Sequence, residues 1–238
     1  MFRHRAHSYT MQVLVNRGQP ANEVWYWAAE QVTLYSKTGV VRHTFSNGLG
    51  KIRYANPLTT MPITLRGTPV TAVSLPPRVS AIAASALQAC GLLAQVEWPF
   101  ANISSIGTQA FYQCASLDLP EIPAATCGNN IFNGCSVLSL TTLPTTLTSI
   151  PPGMFRYCYR LKVDTIPATV STIGNFAFES CTSLTSMTFL GTPESISSSA
   201  FRSCSNLTTI RVPWSEGAVY GAPWSANAAT ISYNYTPS

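Results

Sequence analysis

Charge is scarce in this chain, and acidic charge scarcest. Only 10% of its 238 residues are Asp, Glu, Lys or Arg, and Asp118 and Asp164 are its only aspartates. The histidines are confined to one end, at His4, His7 and His43. No Cys-x-x-Cys pair occurs, which removes the usual spacing of a zinc site, so no metal or cofactor is expected. The basic start, Met1 to His7, is followed by no apolar segment of the signal-peptide kind. The uncharged stretch Val79 to Val96 carries Ser80, Ser85, Gln88 and Gln95, so no membrane span is expected and the chain reads as soluble. The hydrophobic fraction of 46% nevertheless argues for a well-buried core and against disorder.

What the sequence does have is periodicity. Cysteines stand at 90, 114, 127, 135, 158, 181 and 204; without Cys127 the steps are 24, 21, 23, 23 and 23. Disulfide frameworks seldom space single cysteines so evenly, and the number is odd, so buried free thiols are expected. A fixed period near 23 falls in the range of leucine-rich repeats. Three residues before each cysteine lies Leu87, Phe111, Phe132, Phe155, Phe178 or Phe201; eight before lies Ile82, Ile106, Cys127, Ile150, Ile173 or Ile196. Three after comes Leu93, Leu117, Leu138, Leu161, Leu184 or Leu207, and a strand-like segment then ends near Pro99, Pro123, Pro144, Pro167, Leu190 or Pro213. From the Ile position to this last position every repeat spans 17 residues, and all length variation falls in the joint before the next Ile. That joint is expected to be a surface loop and the rest a rigid rung.

Each unit buries its Ile, Phe, Cys and Leu only when neighbours stack on both sides. The expected fold class is therefore an α/β solenoid, a short right-handed stack of six leucine-rich repeats over residues 67–213. The segment after each Leu should supply one strand of a parallel sheet, and the stretch from Ile to Cys, such as Ile173 to Cys181, a helical turn or short helix opposite. Six rungs at roughly 4.8 Å give a stack only about 30 Å long. One irregularity stands out: the apolar residue inside the strand segment is Val96, Met187 or Ile210 in repeats one, five and six, but shifts one place earlier, to Leu119, Leu140 and Val163, in the middle three. A bulge or a later strand entry would absorb the shift.

The open ends call for caps. Residues 1–66 carry strand-like runs at 9–15 and 23–27 and hairpin turns at Lys37-Thr38-Gly39 and Ser46-Asn47-Gly48, which reads as a small β-rich N-terminal cap. Residues 214–238 are aromatic-rich and off-register, and read as a C-terminal cap with a final strand near 231–235. The first segment is also basic, with eight Lys and Arg against Glu23 and Glu30, but its charges are scattered singly, so no nucleic-acid partner is expected.

Ile-Gly, then Ala-Phe, then Cys-x-x-Leu and a Pro-ended strand resembles the BspA-type (Treponema-type) leucine-rich repeat; Ile106 to Phe111 and Ile173 to Phe178 match best. Residues 22–26 with Ser46 to Lys51 look like the leader found before such repeats in gut bacteria, and Val212-Pro213-Trp214 with Ala222-Pro223-Trp224 resembles their ending. The resemblance implies a surface protein that binds host proteins, other microbes or glycans, and it extends to phage-encoded proteins. Two functions are thus expected: a non-catalytic binding or adhesion module for a protein or glycan partner, or a structural component of a larger assembly such as a phage particle. The expected location is extracellular, at the cell surface, or on a virion.

Two surfaces are candidates for binding. One position before the end of each strand segment stand Glu97, Glu121, Thr142, Thr165, Thr188 and Arg211, an outward column that grades from acidic to basic. Thr is also simply a good solvent-facing strand residue. Repeat four gathers Arg156, Tyr157, Tyr159 and Arg160 on the opposite side, the residue types that most often anchor interfaces. No residue combination points to catalysis: the histidines lie far in sequence from the cysteines, and Glu97 with Glu121 is more simply a solvated pair.

Overall fold

The computed structural model describes residues 18–99, 102–123 and 126–236, so the strand-like run at 9–15, His4 and His7 lie outside the described residues. The elements in chain order are β1 (Glu23–Trp27), β2 (Val40–Ser46), β3 (Leu49–Tyr54), β4 (Thr60–Met61), β5 (Ala72–Ser74), β6 (Ala81–Ile82), β7 (Gln95–Glu97) and β8 (Ser105–Ile106). They continue with β9 (Thr126–Cys127), β10 (Ser149–Ile150), β11 (Thr165–Ile166), β12 (Thr172–Ile173), β13 (Ser186–Phe189), β14 (Ser195–Ile196), β15 (Thr209–Arg211) and β16 (Thr230–Ser232).

These strands build a solenoid of about seven turns. The Ile positions form one row of short parallel strands, in the orders β4-β6-β8-β9 and β10-β12-β14, with Ile82 opposite Ile106, Ile106 opposite Cys127 and Ile150 opposite Ile173. Cys127 thus occupies an isoleucine position in register. The parallel stacking already begins at Thr60 and Met61, within the segment expected to form a cap. The row breaks between β9 and β10 for a local reason. Where Gly107, Gly128 and Gly174 donate their amides to Ile82, Ile106 and Ile150, the fourth coil carries Pro151, which has no N–H to donate.

The second row also comes in two parts: β5 pairs with β7, and β11-β13-β15-β16 run parallel in register. The expectation of one strand per repeat therefore fails in the middle. Segments 117–122 and 138–143 carry no strand, and in the fourth coil the strand enters late, at Thr165. Leu119, Leu140 and Val163 are the reason: each is buried one place early, which draws the backbone off the strand path, and Pro120 removes a ladder donor.

The α component of the expected α/β class is not found. Among the described residues there is no α-helix; the one helical turn described in full, Ile63–Leu65, is 3₁₀. The stretch from Ile to Cys is instead a run of linked turns, as in Gly174 to Ala177, Phe176 to Glu179 and Phe178 to Cys181, each closed by an amide donating three residues back. The intervening amides point at the next coil: Ser85, Leu87 and Ala89 donate to the carbonyls of Thr108, Ala110 and Tyr112, and Gly153, Phe155 and Tyr157 donate to those of Asn175, Ala177 and Glu179. Amides shared with a neighbouring coil cannot close an α-helix. The cost is a left-handed backbone, with φ near 60° at Ser85 and Ala89, Gln109 and Gln113, Phe176 and Ser180, a conformation that costs a non-glycine residue about 1–2 kcal/mol.

Inside, Phe111, Phe132, Phe155, Phe178 and Phe201 form a stacked column with centroid spacings of 5.5, 5.9, 5.6 and 5.1 Å. The six cysteines of the repeat position are buried free thiols, as expected, and each donates to the main-chain carbonyl of the preceding coil. The donor–acceptor pairs run from Cys90 Sγ to Leu65 O at 3.0 Å through Cys135 to Phe111 at 3.2 Å to Cys204 and Phe178 at 3.0 Å.

At one end, β2 and β3 form the antiparallel hairpin expected at Ser46-Asn47-Gly48, with Asn47 and Gly48 at φ 51° and 79°. Strand β1 joins it to β5, the first strand of the second row. At the other end, Trp214 and Trp224 are buried against Phe189 and against each other, and the Phe201 amide donates to the Trp224 carbonyl. Among the described residues no helix is long and apolar enough to cross a membrane.

Candidate binding surface

The linked turns place the residue after each Phe in a column on the side opposite the second strand row: Gln88, Tyr112, Asn133, Arg156, Glu179 and Arg202. Three of these form an ionic group. The buried Glu179 carboxylate pairs with Arg156 Nε and, at 3.8 Å, with Arg202 Nε. The Arg156 guanidinium also lies 4.7 Å from the Tyr157 ring centroid and 5.1 Å from that of Phe176, and Arg202 lies 5.9 Å from Phe176. The buried Glu179 carboxylate depends on these arginines, since removing them would leave its charge uncompensated.

The structure thus brings Arg156, Tyr157 and Tyr159 together, with the two tyrosine rings 6.3 Å apart. It also assigns them different availability. Arg156 is engaged by Glu179, while Tyr159 is 46% exposed and Arg160 is exposed. Tyr157 sits at φ 60°, in a position taken by Ala89, Gln113, Gly134, Ser180 and Ser203 in the other coils. Its amide is pinned to the Glu179 carbonyl at 2.8 Å, which keeps the strained backbone in place. Glu179, Phe176 and Arg202 escaped the sequence reading. The signal was present, because Arg156, Glu179 and Arg202 follow one another at steps of 23, the repeat length itself.

The strand-side column is not assembled as one row. Register joins Thr165, Thr188 and Arg211, whose guanidinium lies 5.7 Å from the Tyr235 ring. Glu97 lies opposite Ser74 in the other sheet, and Glu121 and Thr142 belong to segments that form no strand in this row. In that gap the Asp118 carboxylate does the work of a missing ladder, accepting the Ser139 amide at 2.8 Å and its hydroxyl at 2.9 Å.

The thiols are chemically quiet. Burial raises every cysteine pKa, to about 12 for Cys127 and Cys204, which leaves almost no thiolate at neutral pH. His43 hydrogen-bonds through Nε2 to the Tyr26 hydroxyl at 2.7 Å, and burial followed by the charge of Lys37 lowers its pKa.

Comparison with known proteins agrees with this geometry. The family model described as the BspA type leucine rich repeat region matches in six copies, over residues 64–162 and 125–219. The crystal structure of a leucine-rich-repeat protein from T. pallidum is 27% identical, with a TM-score of 0.55, covering 64% of this chain and 73% of that one. A leucine-rich cell surface protein from Faecalibacterium prausnitzii A2-165 is 21% identical with a TM-score of 0.49; 71% of this chain and 61% of that one are covered, so the alignment spans less than two thirds of its length. None of the curated proteins matches the chain. With more than half of its length matched by the repeat model, and with those repeats stacked in register, the chain belongs to the BspA-type leucine-rich-repeat family.

Proposed function

We propose that this protein is a non-catalytic binding and adhesion module that presents the solenoid surface to a protein or glycan at a host or microbial surface. Membership of a repeat family used for protein interaction or surface display supports the reading. In it, the β1–β3 sheet and the segment around Trp214 and Trp224 seal the two ends of the stack, and Tyr157, Tyr159 and Arg160 form the contact group. The observation that carries it is the exposed Tyr159 beside Tyr157, two aromatic rings on a backbone fixed by the next coil. Rings held in place lose little entropy on binding, which suits them as interface anchors.

The test is a protein and glycan array with the wild type and with Tyr157→Gly plus Arg160→Ala. Glycine fits the left-handed backbone at 157 and already stands at the equivalent Gly134, so the fold is retained. At least a tenfold loss of binding with an unchanged unfolding midpoint is expected. Undiminished binding by the double variant would remove this contact group from the proposal.

A further inference from the structure

The outer face of the β1–β3 sheet carries a second, separate feature. Glu23, Trp25, Arg42, Thr44, Lys51 and Arg53 line a groove of about 430 Å³, within the roughly 300–1,000 Å³ range of small-ligand sites. Their placement follows from register. Trp25 lies opposite Lys51, Lys51 opposite Thr44, and Arg53 opposite both Glu23 and Arg42. The β-bulge at Val41 sets this arrangement. Val40 pairs with Tyr54 and Arg42 with Arg53, so the inserted Val41 moves Arg42 to the outer face and His43 to the core face against Tyr26.

The charges do not balance within the groove. One carboxylate, Glu23, holds Arg53 (Nε to Oε1, 2.8 Å) and the Trp25 indole N–H (to Oε2, 2.9 Å). Lys51 Nζ lies 4.7 Å from the Trp25 ring centroid, and Arg42 makes no ion pair among the described residues. Three cations against one anion leave two positive charges, in a chain where charge is scarce. Two arginines directly opposite on adjacent strands repel each other and lower stability unless an anion lies between them.

We propose that this groove is a binding site for an acidic saccharide. Its sulfate or carboxylate is taken by Arg42 and Lys51, and its hydroxyls and ring lie against Thr44 and the Trp25 side, which Glu23 holds in place. The indole wall favours a sugar over an acidic peptide, which needs no such wall. The site lies on the β1–β3 sheet and the Tyr157 group on the linked turns, and neither depends on the other.

Calorimetric titration of the full chain decides it, using a heparin-derived tetrasaccharide, trigalacturonate, neutral maltotetraose and tetraglutamate. Binding of the sulfated or the uronic oligosaccharide, with neither of the last two bound, is expected, and the stronger of the two identifies the anionic group. Arg42→Gln and Lys51→Gln each weaken that binding at least tenfold, and added salt weakens it in the wild type. Arg78→Gln, at an exposed arginine outside both this groove and the Tyr157 group, leaves it unchanged. Arg42→Gln also unfolds at the same or a higher temperature than the wild type, because it relieves the repulsion with Arg53. The proposal is overturned by no binding of either acidic oligosaccharide, by equal binding of tetraglutamate, or by binding indifferent to both substitutions.

Discussion

The thiol of Cys158 donates to the carbonyl oxygen of Phe132 in the preceding coil, at 3.1 Å. The same carbonyl already accepts the amide of Cys135 at 3.0 Å. Each coil is thereby tied to the one before it from inside the core, and cysteine suits the place because it packs as a small apolar side chain and still offers a weak donor.

From this arrangement the cysteines should be inert while the chain is folded. At neutral pH the native protein is expected to show no rapid reaction with a thiol-specific reagent, and full labelling after denaturation. Cys158→Ala should cost about 1–2 kcal/mol, from a lost weak hydrogen bond and a small cavity. The loss is moderate because Phe132 keeps its amide partner. Urea titration measures the cost, and fast labelling of Cys158 in the native state would contradict the assignment.

The phenylalanine column predicts a difference between centre and end. Phe155 stacks on Phe132 and Phe178, whereas Phe201 stacks on Phe178 alone. Phe155→Ala should cost about 3–5 kcal/mol. Phe201→Ala should cost less by about 0.5–1.5 kcal/mol, the worth of one aromatic pair. Equal or reversed costs in parallel urea titrations would show that the rings act as independent fillers.

His43 sets an acid limit on stability. Burial, and then Lys37, hold its pKa below the ordinary 6.5 in the folded state, so the unfolded chain binds this proton more readily. The sign follows: stability is full above about pH 6.5, declines as the pH falls below it, and levels off for this group once folded His43 is itself protonated. Glu23, whose pKa is also lowered on folding despite its burial, by its bonds to Trp25 and Arg53, adds a loss only at lower pH, beneath 4.5. Unfolding midpoints of the wild type and His43→Gln between pH 7.5 and 5 test this, and the variant should show the shallower slope.

How much of this was legible depended on whether a feature repeats. The inward positions recur because every coil solves the same burial problem, so Ile173, Phe178, Cys181 and Leu184 could be placed from spacing alone. The Asn47-Gly48 hairpin was legible for a local reason, since both residues tolerate positive φ. The helix opposite the strands was misread because the apolar spacing from Ile173 to Cys181 suits a helix and a run of turns equally. The left-handed residues there, such as Ala89 and Phe176, are not the glycines that would have announced them.

The sequence alone thus settles the coil length, the inward residues and the free state of the cysteines, since all three follow from which side chains must leave water. The tertiary structure alone decides where the backbone hydrogen bonds go. Pro151 and the early-buried Leu119, Leu140 and Val163 open both strand rows at mid-stack, and the amides of the opposite turns carry the connection across. It likewise decides that Arg156 serves Glu179 while Arg42 has no ion pair among the described residues, because a charge finds its partner in the neighbouring coil or strand, a residue distant in the chain.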